Sequence, residues 1–177
     1  MLQHVRVLDL SFPSNALKKD ARLKVCIPAL LSSIMPCLRE IDLSNANVSD
    51  LALRHFAKKC PALEKVIWNN QDGILMWDVF KECNNLKEIY MDSSIFFLSD
   101  VGPMSIESER RADFILTICN ASLERVSLKN AKFVYMPPQA TLVVFVHRAP
   151  SLRWFRSDLS PEHIALLQVV RPEVTFA

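Results

Sequence analysis

The chain has 177 residues, half of them apolar and 23% charged, with a formal net charge of +2. That length and composition suit one globular unit with a sizeable core and exclude a disordered tract. The balanced charge, with no basic run, argues against nucleic-acid recognition, and two isolated glycines, Gly73 and Gly102, cannot build a phosphate-cradling loop or a dinucleotide fingerprint.

In chain order, the N-terminal MLQHVRVLDLSF carries Arg6 and Asp9 where a secretory signal needs an unbroken apolar core. Its VRVLDL places Val5, Leu8 and Leu10 at the spacing apolar-x-x-apolar-x-apolar; four further hexamers share it and a fifth, with Ser157 in the last position, is a weaker copy. They are Leu38–Ile41–Leu43 in LREIDL, Leu63–Val66–Trp68 in LEKVIW, Leu86–Ile89–Met91 in LKEIYM, Leu123–Val126–Leu128 in LERVSL and Leu152–Phe155–Ser157 in LRWFRS. A last copy, RPEVTF, starts at Arg171 in this register and puts Val174 and Phe176 at the apolar positions. The starts are separated by 33, 25, 23, 37, 29 and 19 residues. The last four residues of each hexamer alternate as a short strand does, one face apolar and the other polar.

Helical spacing lies between the strands. Leu53, Phe56 and Cys60 follow i, i+3, i+7, and Met76, Phe80, Cys83 and then Ala112, Ile115, Cys119 repeat the arrangement. SPEHIALLQVV predicts a helix with Ser160 as N-cap, Pro161 at the first helical position, and Ile164, Leu167 and Val170 facing in. A strand–helix unit this small cannot hide its apolar face alone, so neighbours must stack. The 37-residue spacing leaves room for an insertion, placed at residues 93–107. Its Ile95, Phe96, Phe97 and Leu98 either form an exposed binding patch or, the reading preferred here, fold back onto the body. The longest apolar run is Leu142 to Val146, far short of the roughly 18–20 residues of a membrane span. A cytoplasmic or nuclear protein is expected.

LREIDLSNANVSDLALRHFAKKCPALEKVIW resembles the leucine-rich repeats of the cysteine-containing subtype, as in F-box/leucine-rich-repeat proteins. The matching pieces are LxxIDLS, the VSD before the helix, and a helix ending in CPALEKV; CNNLKEIYM and CNASLERVSL share the cysteine before the strand. The resemblance implies an α/β solenoid, a horseshoe arc with parallel strands on the concave face, helices on the convex face, and six to seven irregular repeats. It also implies a substrate-recognition array of a ubiquitin-ligase adaptor. Where the subtype often carries Asn or Cys, three residues past the strand, this chain has Pro13, Ala46, Gln71, Ser94, Ala131 and Ser160. On that ground no side-chain ladder is expected along the turns. Both ends read as open, so the 177 residues are expected to be one repeat domain within a longer protein.

The five cysteines form no Cys-x-x-Cys pair and have no histidine at zinc spacing. Cys60 and Cys83 occupy equivalent repeat positions, which predicts small buried apolar groups rather than reactive thiols. The four histidines are scattered. No metal, cofactor or catalytic constellation is expected, and the chain is not read as an enzyme.

The outward strand positions carry the functional expectation. They are Val7, Asp9, Ser11; Glu40, Asp42, Ser44; Lys65, Ile67, Asn69; Glu88, Tyr90, Asp92; Arg125, Ser127, Lys129; and Trp154, Arg156, Asp158. Acids lead near the N-terminal end and bases near the C-terminal end. Ile67, Tyr90 and Trp154 are apolar or aromatic where solvent demands nothing of the kind, and Tyr, Trp and Arg are common interface anchors. Either an inner curve tolerates them singly or a partner uses them. The partner-binding set is Glu40, Asp42, Lys65, Ile67, Glu88, Tyr90, Asp92, Arg125, Lys129, Trp154 and Arg156, holding a protein or peptide. The alternative is a structural or oligomerising segment of a longer repeat protein or sensor. Partner identity and oligomeric state are open at this level.

Overall fold

The computed structural model describes residues 2–11, 31–46, 48, 50–75, 80, 83–98, 121–134 and 138–177. Seven short parallel strands form one sheet in the order β1-β2-β3-β5-β7-β9-β10. They are β1 (Val7–Asp9), β2 (Glu40–Asp42), β3 (Lys65–Ile67), β5 (Glu88–Tyr90), β7 (Arg125–Ser127), β9 (Trp154–Arg156) and β10 (Thr175–Phe176). A second parallel sheet, β4-β6-β8, uses β4 (Asp72–Leu75), β6 (Ile95–Leu98) and β8 (Lys132–Val134). Among the described residues the helices include α1 (Asp50–Lys59), α2 (Pro138–Arg148) and α3 (Pro161–Val170), and residues 31–34 are helical too.

The register puts the middle strand residues in one row: Leu8, Ile41, Val66, Ile89, Val126, Phe155, Phe176. From Ile41 to Phe155 this row is fully or almost fully buried, flanked by buried rows Leu38, Leu63, Leu86, Leu123, Leu152 and Leu43, Trp68, Met91, Leu128. Leu53, Phe56 and Cys60 of α1 and its end close the same core, with Phe80 and Cys83. Strands lie about 4.8 Å apart while a helix with its side chains is about 10–12 Å wide. Stacking such units therefore curves the array with its strands inside. Met76, Ala112, Ile115, Cys26, Cys119, Pro13 and residues 99–107 lie outside the described residues.

Four expectations change. First, polar ladders do run along the turns. The buried Gln71 amide donates to the carbonyls of Leu43 (3.1 Å) and Asn69 (2.9 Å) and accepts from the Val48 N–H (3.2 Å). The Gln71 N–H goes to the Ser94 hydroxyl (3.1 Å), which donates to the Trp68 carbonyl (3.2 Å). Gln and Ser replace Asn here because each has a donor and an acceptor that reach the neighbouring repeat. One residue earlier, Asn45, Asn70, Ser93 and Asn130 all adopt positive φ, between 54° and 59°. Those short polar side chains tolerate the left-handed turn. The N–H groups of Asn45, Asn70 and Ser93 each bond the next repeat's carbonyl.

Second, the last repeat is two residues out of the expected register: Phe176 pairs with Phe155, not with Ser157. A slip of two keeps the same side chains on the same face, so alternation alone does not resolve it. Third, Val170 is 54% exposed. The inward i+7 position from Ile164 is Arg171, which is buried and donates to the carbonyls of Val146 and Ala149 near the end of α2. The guanidinium satisfies helix-end carbonyls that lack intrahelical partners and sits at the negative end of the helix dipole. Fourth, Ser44 and Ser127, read as solvent-facing, are buried.

Of the proposed insertion, residues 93–98 are regular: a left-handed turn at Ser93 and then β6, paired on both sides by β4 and β8. The Ile95–Leu98 backbone is thus built into a sheet rather than displayed as a loop.

Candidate partner-binding face

The outward face of the seven-stranded sheet is built in two rows by the same register. The first runs Val7, Glu40, Lys65, Glu88, Arg125, Trp154, Thr175; the second runs Asp9, Asp42, Ile67, Tyr90, Ser127, Arg156. Every predicted site residue on a strand lies in one of them, and Asp92 and Lys129 follow two residues beyond β5 and β7. Sequence positions up to 116 residues apart (Glu40 to Arg156) become one surface because parallel stacking superimposes equivalent residues.

Much of the charge is paired locally rather than spread as an end-to-end gradient. Lys65 Nζ lies 2.9 Å from Glu40 Oε1, and this hydrogen bond raises the Lys65 pKa above its usual value. Arg156 reaches Asp92 at 3.4 Å, and Lys129 lies 2.7 Å from Asp158. Burial pushes the Asp158 carboxyl up, but the bonds from Lys129 and the Asn130 N–H outweigh it and hold the group below the ordinary carboxylate range. At the strand entrances Arg39 and Glu64 pair at 3.4 Å.

Two of the predicted acids also hold backbone. Asp42 accepts from the Ser44 N–H (2.8 Å), as Asp9 does from Ser11 (2.8 Å). Asp92 accepts from the Lys129 N–H (2.8 Å) and from the Ser127 hydroxyl (2.6 Å), while its own N–H goes to Asn69 Oδ1 (2.8 Å). A side-chain oxygen thus serves the same row of backbone donors in four repeats. The sequence signal was available as the recurring Asp or Asn just inside or just past each strand.

The centre of the face is aromatic. Tyr90 and Trp154 come from β5 and β9, with β7 between them, and their ring centroids are 6.3 Å apart at 45°. Tyr90 donates to Glu88 Oε2 (3.0 Å), and Lys65 Nζ lies 5.9 Å from the Tyr90 centroid. The Arg125 guanidinium lies 4.8 Å from the Trp154 centroid. Ser127 is the small residue of the row beside Tyr90, fully buried although on the outward face. Both rings stay half-buried, as does Ile67. Along the strand entrances a shallow groove of about 400 Å³ is lined by Arg6, Val7, Arg39, Glu40, Glu64, Lys65, Lys87 and Glu88.

No family model matches the chain, and no curated protein matches it in sequence. Among solved structures it is similar to a tropomodulin C-terminal domain of Caenorhabditis elegans, with a TM-score of 0.56 and 12% identity over 85% of this chain and 92% of that one. The fold is a leucine-rich repeat solenoid. At that identity the likeness concerns the fold alone. The array's strands line its concave face, and its helices lie outside.

Cys60 is fully buried at the end of α1; its Sγ lies 3.4 Å from the Met35 carbonyl, and burial pushes the thiol up to about 11. At neutral pH it is a thiol and not a nucleophile. Cys83 is likewise buried, and Cys37 is exposed. Among the described residues no cluster of His, Cys, Asp or Glu has metal-ligand geometry, and no helix is long and apolar enough to cross a membrane.

Proposed function

We propose that this chain is an interaction module that holds a protein or peptide partner on its concave strand face and catalyses nothing. The observation that carries the reading is the half-exposed Tyr90–Trp154 pair at the centre of that face, backed by the buried Ser127 and flanked by Arg125 and Ile67. Rings fixed by neighbours bring large contact area to an interface at little entropic cost. The charged residues around them, from Glu40 and Asp42 to Arg125 and Arg156, orient the approaching chain. The cysteine-containing repeat pattern, with Cys60 and Cys83 both buried, supports the finer reading of a substrate-recognition array in an F-box-type ubiquitin-ligase adaptor working in the cytoplasm or nucleus. Replacing Tyr90 and Trp154 together with Ala should leave the melting transition nearly in place and strip the proteins that the wild type captures. Equal capture by the double variant would sink the concave-face assignment.

A second reading has its own observation. Leu166, Val169 and Val170 of α3 are 67%, 80% and 54% exposed, beside the edge strand β10. An apolar helix face next to an open strand edge favours a structural or oligomerising role through stacking. Light scattering separates the two: self-association abolished by Val169→Glu supports stacking, and a concentration-independent monomer removes it.

A further inference from the structure

One cation at the centre of the strand face is held by a ring and, among the described residues, by no acid. Arg125 lies between Glu88 and Trp154 in the first outward row, its guanidinium against the Trp154 ring. Among the described residues no carboxylate pairs with it, because its neighbour Glu88 turns to the Tyr90 hydroxyl instead. Lys65, Arg156 and Lys129 on the same face each have an acid. Stacking occupies the flat face of a guanidinium and leaves its N–H edge free. That edge, held in place by the indole, is preorganised to grip a carboxylate with two parallel hydrogen bonds.

The surroundings set the sign of the ligand. Tyr90 also has a cation against it, Lys65, which Glu40 pairs, so a basic side chain approaching the rings meets the unpaired charge of Arg125 on Trp154. The neighbouring groove points the same way. Its Arg39–Glu64 and Lys65–Glu40 pairs cancel, and Glu88 keeps its charge while accepting from Tyr90, so Arg6 and Lys87, which pair with no acid among the described residues, leave the groove with a small excess of positive charge. We propose that the face takes an acidic peptide segment: an Asp or Glu side chain forks onto Arg125, an adjoining apolar side chain packs on Tyr90 and Trp154, and further acids run toward Lys87 and Arg6. This rests on the concave-face reading above and names the partner's chemistry.

The test is selection from a random peptide library displayed on phage, using the full chain, followed by fluorescence-polarisation titration of the selected peptides. The expected motif is an acidic residue beside an aromatic or branched apolar one. Arg125→Ala should weaken such peptides by about tenfold or more, Arg125→Lys less, because it keeps the charge and loses the fork. Arg125→Glu should reverse the selection toward Lys and Arg, and affinity for the acidic peptides should fall with added salt. Arg125 is exposed, so these variants fold, which thermal melts check. Selection of basic peptides by the wild type overturns the proposal. So does binding that Tyr90→Ala and Trp154→Ala abolish but Arg125→Glu leaves unchanged, an outcome that keeps the concave-face reading. Peptides whose binding ignores all of these variants, or no selection at all, overturn both.

Discussion

The two faces of the seven-stranded sheet are made from alternate residues of the same strands and obey different rules. The inward row is Ile41, Val66, Ile89, Val126, Phe155: branched or aromatic, buried, interchangeable in kind. The outward row beside it is Glu40, Lys65, Glu88, Arg125, Trp154, with no two neighbours alike in charge. The core demands volume and dryness at every repeat, so its residues repeat. Solvent demands almost nothing, so what varies on the outside is free to answer a partner. Repeats that are weak by composition thus still fold, and the array's individuality sits where its stability does not.

The two faces should differ most in energy within a single strand. Ile89→Ala should destabilise by about 2–5 kcal/mol in a urea or thermal melt, whereas Glu88→Ala, the residue before it, should stay within about 0.5 kcal/mol. Similar costs for the two would mean that the faces are not energetically distinct. Arg171 tests the rule from the other side, as a charged residue doing core work. Arg171→Met should cost about 1–3 kcal/mol, because it leaves the carbonyls at the end of α2 buried without donors. It should also speed amide exchange in that helix turn. Cys60→Ser puts a smaller, more polar group in a fully buried site, where its shorter bond reaches the Met35 carbonyl less well than the thiol does, and should cost about 1–3 kcal/mol while folded protein binds as before. Lost binding by folded Cys60→Ser protein would give the cysteine a role beyond packing.

The smallest effect concerns the outward face alone. Asp158 ionises more readily in the folded chain than its ordinary value of 3.8, so it binds fewer protons folded than unfolded. Its contribution is present above that value and fades as pH falls through the lower folded one. Lys129→Ala should therefore flatten the acid limb of a stability-against-pH curve slightly and leave neutral-pH stability almost unchanged, since both partners are substantially exposed. An unaltered acid limb would mean that the pair adds nothing measurable.

Strand positions, the buried rows and the buried cysteines were legible in the residues, because burial imposes a period and a period shows in one dimension. Ser160 as cap and Pro161 as first helical residue were equally local and stand as read. The register of the last strand was not legible, since a two-residue slip preserves alternation. Arg171 was not either: a basic residue at an apolar position gives no sign of which distant carbonyls will receive it. The turn ladder escaped because it requires only a donor and an acceptor at the right reach, which Gln71 and Ser94 supply as well as the expected types. On the outward face the sequence named the residues, but not their pairing.

By itself, then, the sequence determined that strands and helices would alternate, which strand rows would form the inside, and which residues would take the outward strand positions. Only tertiary stacking decided which charges cancel, that Tyr90 and Trp154 meet across an intervening strand, and that Arg125 lies on an indole and pairs with no acid among the described residues. The reason is physical. Periodicity is a property of neighbours along the chain, whereas contacts on the strand face join different repeats and depend on where each side chain turns once they stack.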